Sequence, residues 1–170
     1  MTSGKHEEFL ARLDAHKKIL FKIANGYTRN ATDREDLVQE IIAQLWRSYE
    51  RFDEHRSFST WMYRVALNVA ISYYRDDARR RERFVPSDPS MLDIPADESP
   101  GTDDRIATVK QFIDGLDELN RALMILYLDD LRYETIATIL GLSVTNVATK
   151  LNRIKNRLRN NVASETLKKA

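Results

Sequence analysis

Between Leu131 and Arg159 the chain reads LRYETIATILGLSVTNVATKLNRIKNRLR, and few folds satisfy that spacing other than two short helices crossing at a tight turn. Ala137 is a small side chain where two helices must approach closely. Gly141 supplies the turn, and Val147 falls on the inner face of the second helix. Ser143 is a good N-cap, after which Val144, Val147, Leu151, Ile154 and Leu158 form one apolar stripe at helical spacing. The opposite face carries Thr145, Asn146, Thr149, Asn152, Arg153 and Asn156, hydrogen-bonding groups suited to base edges rather than the Glu and Lys mixture of a solvated helix. From Ser143 to Asn160 the chain has Lys150, Arg153, Lys155, Arg157 and Arg159 and no acid, a charge pattern that suits phosphates. A hairpin docking on a protein, with its basic residues merely solvated, explains the charge but not the coincidence of small residue, glycine, inner valine and amide face.

Total charge alone does not suggest nucleic acid: the formal net charge is +1 over 170 residues, so DNA binding would have to come from uneven distribution. Hydrophobic residues make up 42%, enough for a buried core. The absence of cysteine excludes disulfides and thiolate metal sites and fits a reducing compartment. MTSGKHEEF has no apolar signal core, and no apolar run nears the roughly 18 residues of a membrane span. A cytoplasmic protein without membrane insertion is expected.

Upstream, Phe9, Leu10, Leu13, Ile19, Leu20 and Ile23 keep near-helical spacing over about Lys5 to Ala24, one helix with a weak middle that Gly26 stops. Thr32-Asp33-Arg34-Glu35 has the form of a capping box opening a second helix through Leu37, Val38, Ile41, Ile42, Leu45 and Trp46. YERFDEHRS (49–57) reads as a loop, followed by a helix from about Phe58 to Arg83. From Phe84 to Asp104 there are four prolines, Gly101, six acids (Asp88, Asp93, Asp97, Glu98, Asp103, Asp104) and no Lys or Arg, the signature of a linker. Helices over about Arg105 to Gly115 and Asp117 to Asp129 then cover the back of the helix-turn-helix. No repeat or strand alternation is present. The expected fold is all-α, with helical domains at 1–83 and 105–170 joined by an acidic linker at 84–104.

A catalytic constellation is missing from the pattern. His6, His16 and His55 form no pair at metal spacing, and no glycine loop cradles a phosphate. Asp36 and Glu40 lie one turn apart and could in principle share a cation, but a solvated charged face is far commoner. No cofactor or metal is expected. The tyrosines 63, 73 and 74, set among Arg64, Arg75, Arg79, Arg80, Arg81 and Arg83, have the composition of a single-strand binding surface; for Tyr63 and Tyr73 singly, packing is the better reading. Asn68, an amide in mid-helix, suits a base edge or a local cap.

DREDLVQEIIAQLW, then SFSTWMYRVALNVAISYYR, an acidic linker and LDELNRALMILYLDDLRYETIATILGLSVTNVATKLNRIKNRLR together resemble the extracytoplasmic-function (ECF) sigma factors, the small two-domain branch of the bacterial sigma-70 family, from about Glu8 to Val162. The resemblance implies a bacterial, cytoplasmic, non-catalytic subunit that binds core RNA polymerase through the clamp of its largest subunit and the flap of the second-largest, recognises promoter DNA and helps open it. It implies that Asp36, Leu37, Val38, Gln39 and Glu40 dock on the clamp; an acid and amide face with one apolar edge suits a helix-to-helix contact. It implies that Phe52 and Asn68 capture a flipped base of the minus-ten element, an aromatic wall beside a donor-acceptor pair, with Arg64 and Arg75 on the same DNA; Trp61 fits a family tryptophan but reads as a core residue. Thr145, Asn146, Thr149, Asn152 and Arg153 would face the minus-thirty-five major groove while Lys150, Lys155 and Arg157 meet phosphates. It implies an anti-sigma factor as a further partner, and a linker that threads the polymerase's nucleic-acid channel.

The sequence departs from the family pattern at Asp117, which follows Leu116 where a proline is common, and across VTNVATKLNRIKN, so the promoter sequence does not transfer. Two other readings compete: a conventional helix-turn-helix regulator, which would bind duplex DNA well on its own, and a helical adaptor, in which Asn146 and Arg153 would be irrelevant to transcription.

Overall fold

In a computed structural model of the chain, the backbone is described for residues 3–83 and 104–169 and side chains for 3–80 and 104–168. Eight α-helices occur in these residues: α1 (Ser3–Ala15), α2 (Lys17–Tyr27), α3 (Ala31–Ser48), α4 (Phe58–Arg83), α5 (Asp104–Asp114), α6 (Glu118–Leu128), α7 (Tyr133–Leu140) and α8 (Val144–Lys169), with a 3-10 turn at Tyr49–Arg51 after α3. The chain divides into two compact units, Met1–Asp97 and Glu98–Ala170. The expected linker lies outside the described residues except for Asp104, which is the first residue of α5.

The first unit is a bundle in which α2, α3 and α4 pack on one another. Leu37, Ile41 and Leu45 recur every four residues along α3 and are fully buried, as are Met62, Ala66 and Ala70 along α4. These rows are helix stripes, and the alanines let two backbones approach closely. Phe9 and Leu13 of α1 and Leu20, Ile23 and Ala24 of α2 complete the core.

Three local expectations are corrected. The first amphipathic stretch is two helices, because His16 leaves the helical region (φ −118°, ψ 11°) and its ring Nδ1 lies 2.8 Å from the Arg12 carbonyl. Gly26 remains helical; the stop is Thr28, in extended backbone, whose hydroxyl donates to the Ala24 carbonyl at 2.7 Å. The cap of α3 is Asn30 rather than Thr32: its Oδ1 accepts from the Asp33 backbone N–H at 2.8 Å, and its Nδ2 donates to the Asp33 carboxylate at 2.8 Å. That pair closes the helix end two residues earlier than the Thr32 to Glu35 pattern.

The second unit packs α6, α7 and α8 on one another, with α5 against α6 and α8. Asp117 caps α6 by accepting from the Asn120 N–H at 2.8 Å. The buried Arg121 donates to the carbonyls of Asp114 and Leu116, satisfying acceptors at the end of α5 that have no helical partner. Helices α6 and α7 end in the same way. Leu131 N–H reaches Leu126 O and Leu142 N–H reaches Ala137 O, each closing over a left-handed residue, Asp130 (φ 60°) and Gly141 (φ 68°) respectively.

The two ends therefore respond oppositely to substitution. A Cβ at Gly141 meets no atom within 4 Å, so Gly141→Ala costs only backbone strain, about 1 kcal/mol. Asp130→Gly relieves the same strain and should stabilise by up to about 1 kcal/mol. Urea unfolding of the two variants checks this; a shift of the same sign in both would contradict it.

Candidate nucleic-acid interface

The face expected to read DNA is formed on α8. Ser143 Oγ accepts from the Asn146 backbone N–H at 3.1 Å, and Val147, Leu151 and Ile154 are buried against the unit. Leu158 is half-buried. Val144, expected in the same stripe, is 43% exposed, because it stands at the first position of α8, one turn before the buried Val147. Burial of the stripe turns Thr145, Asn146, Thr149, Asn152, Arg153 and Asn156 outward, and all six are exposed. The Thr149 hydroxyl donates to the Thr145 carbonyl at 2.9 Å, which leaves it an acceptor and a methyl to present. Asn146 and Arg153 retain the paired groups that fit adenine and guanine edges.

Two of the flanking cations, Lys155 and Arg157, lie against rings of their own unit. Lys150 and Lys155 are half-buried; Lys155 Nζ lies 5.0 Å from the centre of the Tyr127 ring, and the Arg157 guanidinium 5.9 Å from that of Phe112. Neither contact removes charge. Both fix a cation beside the amide face, where the walls of a groove carry phosphates.

In the first unit, the face of α3 opposite its buried stripe presents Asp36, Gln39 and Glu40, all exposed, with Val38 half-buried. Leu37 is corrected: at 0% exposure it belongs to the core and supports the surface from inside, since it shares the inward stripe with Ile41 and Leu45. Glu40 pairs with Arg47 at 3.3 Å, an exposed contact of little energy. Between α3 and α4 runs an open cleft of about 610 Å³ lined by Asp36, Glu40, Gln44, Asn68, Tyr73 and Asp76 among others. The Tyr73 phenol is held above its usual pKa, first by burial and then by the carboxylates of Asp33, Asp36 and Asp77. Gln44 and Asp76 are not singled out in the sequence, and Tyr73 reads there as a packing residue. The signal is there in two polar rows at four-residue spacing, Asp36-Glu40-Gln44 and Asn68-Ser72-Asp76, which face each other across the cleft.

Arg64, Asn68 and Arg75, spaced four and seven residues apart, are exposed along one side of α4. Phe52 sits at the start of that side in an aromatic cluster. Its ring lies 4.9 Å from Trp61, 5.5 Å from Phe58 and, nearly parallel, 6.1 Å from Tyr49. Trp61 is half-buried within the cluster, and from it Asn68 stands about 10 Å further along the helix axis. Phe52 and Asn68 thus lie along one continuous face rather than on two walls of a single small pocket. Tyr63 is buried and Tyr74 packs edge-on to Tyr27 at 6.1 Å, so these rings serve packing. Among the described residues no cluster of His, Asp or Glu is placed to hold a metal.

Known proteins give these surfaces a context. Residues 13–80 match the family described as Sigma-70 region 2, and residues 106–158 match Sigma-70, region 4. The ECF RNA polymerase sigma-E factor of Haemophilus influenzae is 31% identical over 156 residues, covering 83% of this chain and 82% of that protein. The ECF RNA polymerase sigma factor SigW of Bacillus subtilis is 27% identical over 167 residues, covering 92% and 89%. Among solved structures, the sigma factor RpoE of Bartonella quintana, in complex with the anti-sigma factor NepR, has a TM-score of 0.68 at 23% identity, covering 95% of this chain and 98% of that one. CnrH, in complex with the cytosolic domain of CnrY, has a TM-score of 0.70 at 24% identity, covering 95% and 92%.

The placement of α3 separates two kinds of substitution. Leu37→Ala should cost about 2–5 kcal/mol in urea unfolding, whereas Gln39→Ala, two residues on and exposed, should stay within about 0.5 kcal/mol of the parent. Equal losses would contradict the inward assignment of Leu37.

Proposed function

Because the chain belongs to the sigma-70 family and is an RNA polymerase sigma factor of the extracytoplasmic-function type, we propose that its two units divide one task. Residues 1–83 dock on core RNA polymerase and take up the minus-ten element, and residues 105–170 read the minus-thirty-five duplex. The observation that carries this is the α8 face: an exposed row of Thr, Asn and Arg with no acid, fixed outward by the buried Val147, Leu151 and Ile154. Asp36, Gln39 and Glu40, with the half-buried edge of Val38, form the surface for the clamp of the polymerase's largest subunit. Arg64, Asn68 and Arg75 line the path of the opened strand, with Phe52 at its start. The polymerase carries the chemistry; this subunit supplies recognition and strand separation.

The work is done where the polymerase is, in the cytoplasm. No helix among the described residues is long and apolar enough to cross a membrane. An anti-sigma factor covering the polymerase-facing and DNA-facing surfaces is the proposed regulator, as the complexes of RpoE with NepR and of CnrH with CnrY suggest.

Gel filtration with bacterial core RNA polymerase tests the docking half. The parent chain should co-elute, and Glu40→Arg, exposed and outside the core, should weaken that association at least tenfold without lowering thermal stability. Arg153→Ala or Asn146→Ala should leave co-elution intact and cost about 1–3 kcal/mol in promoter-selective transcription. A chain that ignores core polymerase yet binds duplex DNA tightly by itself would instead be a conventional helix-turn-helix regulator.

A further inference from the structure

One side chain of the first helix reaches both Phe52 and the loop that follows it. Arg12, on α1, places its guanidinium 5.6 Å from the centre of the Phe52 ring and 5.8 Å from that of Phe58. It also pairs with Glu8 on its own helix, and 3.8 Å away it meets Glu54, two residues beyond Phe52. Its side chain is only 31% exposed. The backbone around it is seated as well: His16 Nδ1 lies 2.8 Å from the Arg12 carbonyl, and the His16 ring packs against Phe58 at 5.2 Å. Within the loop, Phe52 N–H donates to the Tyr49 carbonyl at 3.0 Å and Arg56 N–H to the Asp53 carbonyl at 2.9 Å, while the Asp53 carboxylate accepts from His55 N–H at 3.0 Å. These bonds set the local turns. They leave the orientation of the Phe52 ring to its neighbours, Tyr49, Phe58 and Trp61 on one hand and Arg12 on the other.

The geometry points to Arg12 as a positioning residue for strand capture: its guanidinium holds Phe52 and the 53–57 loop in the arrangement that receives an unpaired base of the minus-ten element. The physical grounds are two. A planar cation over a ring face, partly removed from water, fixes ring orientation more strongly than an exposed contact. The Glu54 carboxylate, 3.8 Å from the same guanidinium, adds a weak pairing just after the ring, so that slightly less ordering is left to be done when DNA arrives. Arg12 lies on the first helix, outside the residues that contact polymerase or DNA in the proposed function. The inference rests on the assignment of Phe52 to the minus-ten strand.

The test uses the full chain with core RNA polymerase and a promoter carrying 2-aminopurine in the minus-ten element, whose fluorescence rises on unstacking. Arg12→Met keeps the aliphatic stem and removes the guanidinium. It should slow the fluorescence rise by roughly three- to tenfold, the range a half-buried cation–π pair supports, with polymerase binding unchanged. Arg12→Lys should recover part of the rate. Phe52→Ala should slow opening at least as much, and the double variant should be no slower than Phe52→Ala alone, because Arg12 acts through the ring. Glu54→Gln, at a 72% exposed side chain, loosens the loop with no risk to the core and should slow opening in the same direction by a smaller factor. Slowing by Phe52→Ala with none by Arg12→Met or Glu54→Gln would overturn the inference and leave the Phe52 assignment standing. Fully additive Arg12 and Phe52 effects would overturn it too. No slowing by Phe52→Ala would overturn the Phe52 assignment and this inference with it.

Discussion

The first unit depends on the contact between α3 and α4. Leu37, Ile41 and Leu45 on one helix and Met62, Ala66, Leu67 and Ala70 on the other are buried to within 1%, and burying such side chains is worth about 1.5–3 kcal/mol each for the larger ones. Once those stripes are turned inward, the helical repeat leaves no freedom in what faces outward. Asp36, Glu40 and Gln44 must line one side of a cleft and Asn68, Ser72 and Asp76 the other. The surface proposed for the polymerase and the asparagine proposed to face DNA therefore share a single packing decision, and a substitution in the stripe disturbs both.

Charge is distributed to match. A formal net charge of +1 conceals an acidic cleft in one unit and, in the other, a stretch from Ser143 to Asn160, most of it in α8, without an acid. The acidic cleft is a poor site for a phosphate backbone until a partner covers some of its carboxylates, while the α8 face attracts one directly. This division accounts for a chain that is expected to bind duplex DNA weakly by itself and to select promoters as part of a larger assembly. Energetically the α8 surface asks little of its own fold: its recognition side chains are exposed, and the stabilising burial lies on the opposite side of the same helix.

Much of this was legible in the amino-acid order. Gly141, Ser143 and Val147 fall where spacing puts them, and the helix starting at Phe58 begins at that residue. What was not legible has identifiable causes. Asn30 outcompetes Thr32 as a cap because its amide can exchange two hydrogen bonds with Asp33, and both residues look like caps in sequence. Leu37 belongs by spacing to the apolar run with Ile41 and Leu45 and by resemblance to the docking segment, and only the fold shows that it is fully buried. Val144 continues the period of an apolar stripe but is the first residue of α8, ahead of the buried part of the stripe. The tie between Arg12 and Phe52 joins residues forty positions apart, and no local pattern reports such a contact before the chain is folded.

In the proposed function, one chain converts a non-selective core polymerase into a promoter-selective one by reading two separated elements. Single-round transcription with bacterial core RNA polymerase and this chain, on a library of templates randomised over the minus-ten and minus-thirty-five regions, measures that directly by sequencing the transcripts formed. The account predicts starts that depend on adding the chain and that share a two-part sequence at fixed spacing upstream, the distal part lost when the α8 face is altered. Starts scattered as with core polymerase alone, or a single shared element indifferent to α8, would contradict it.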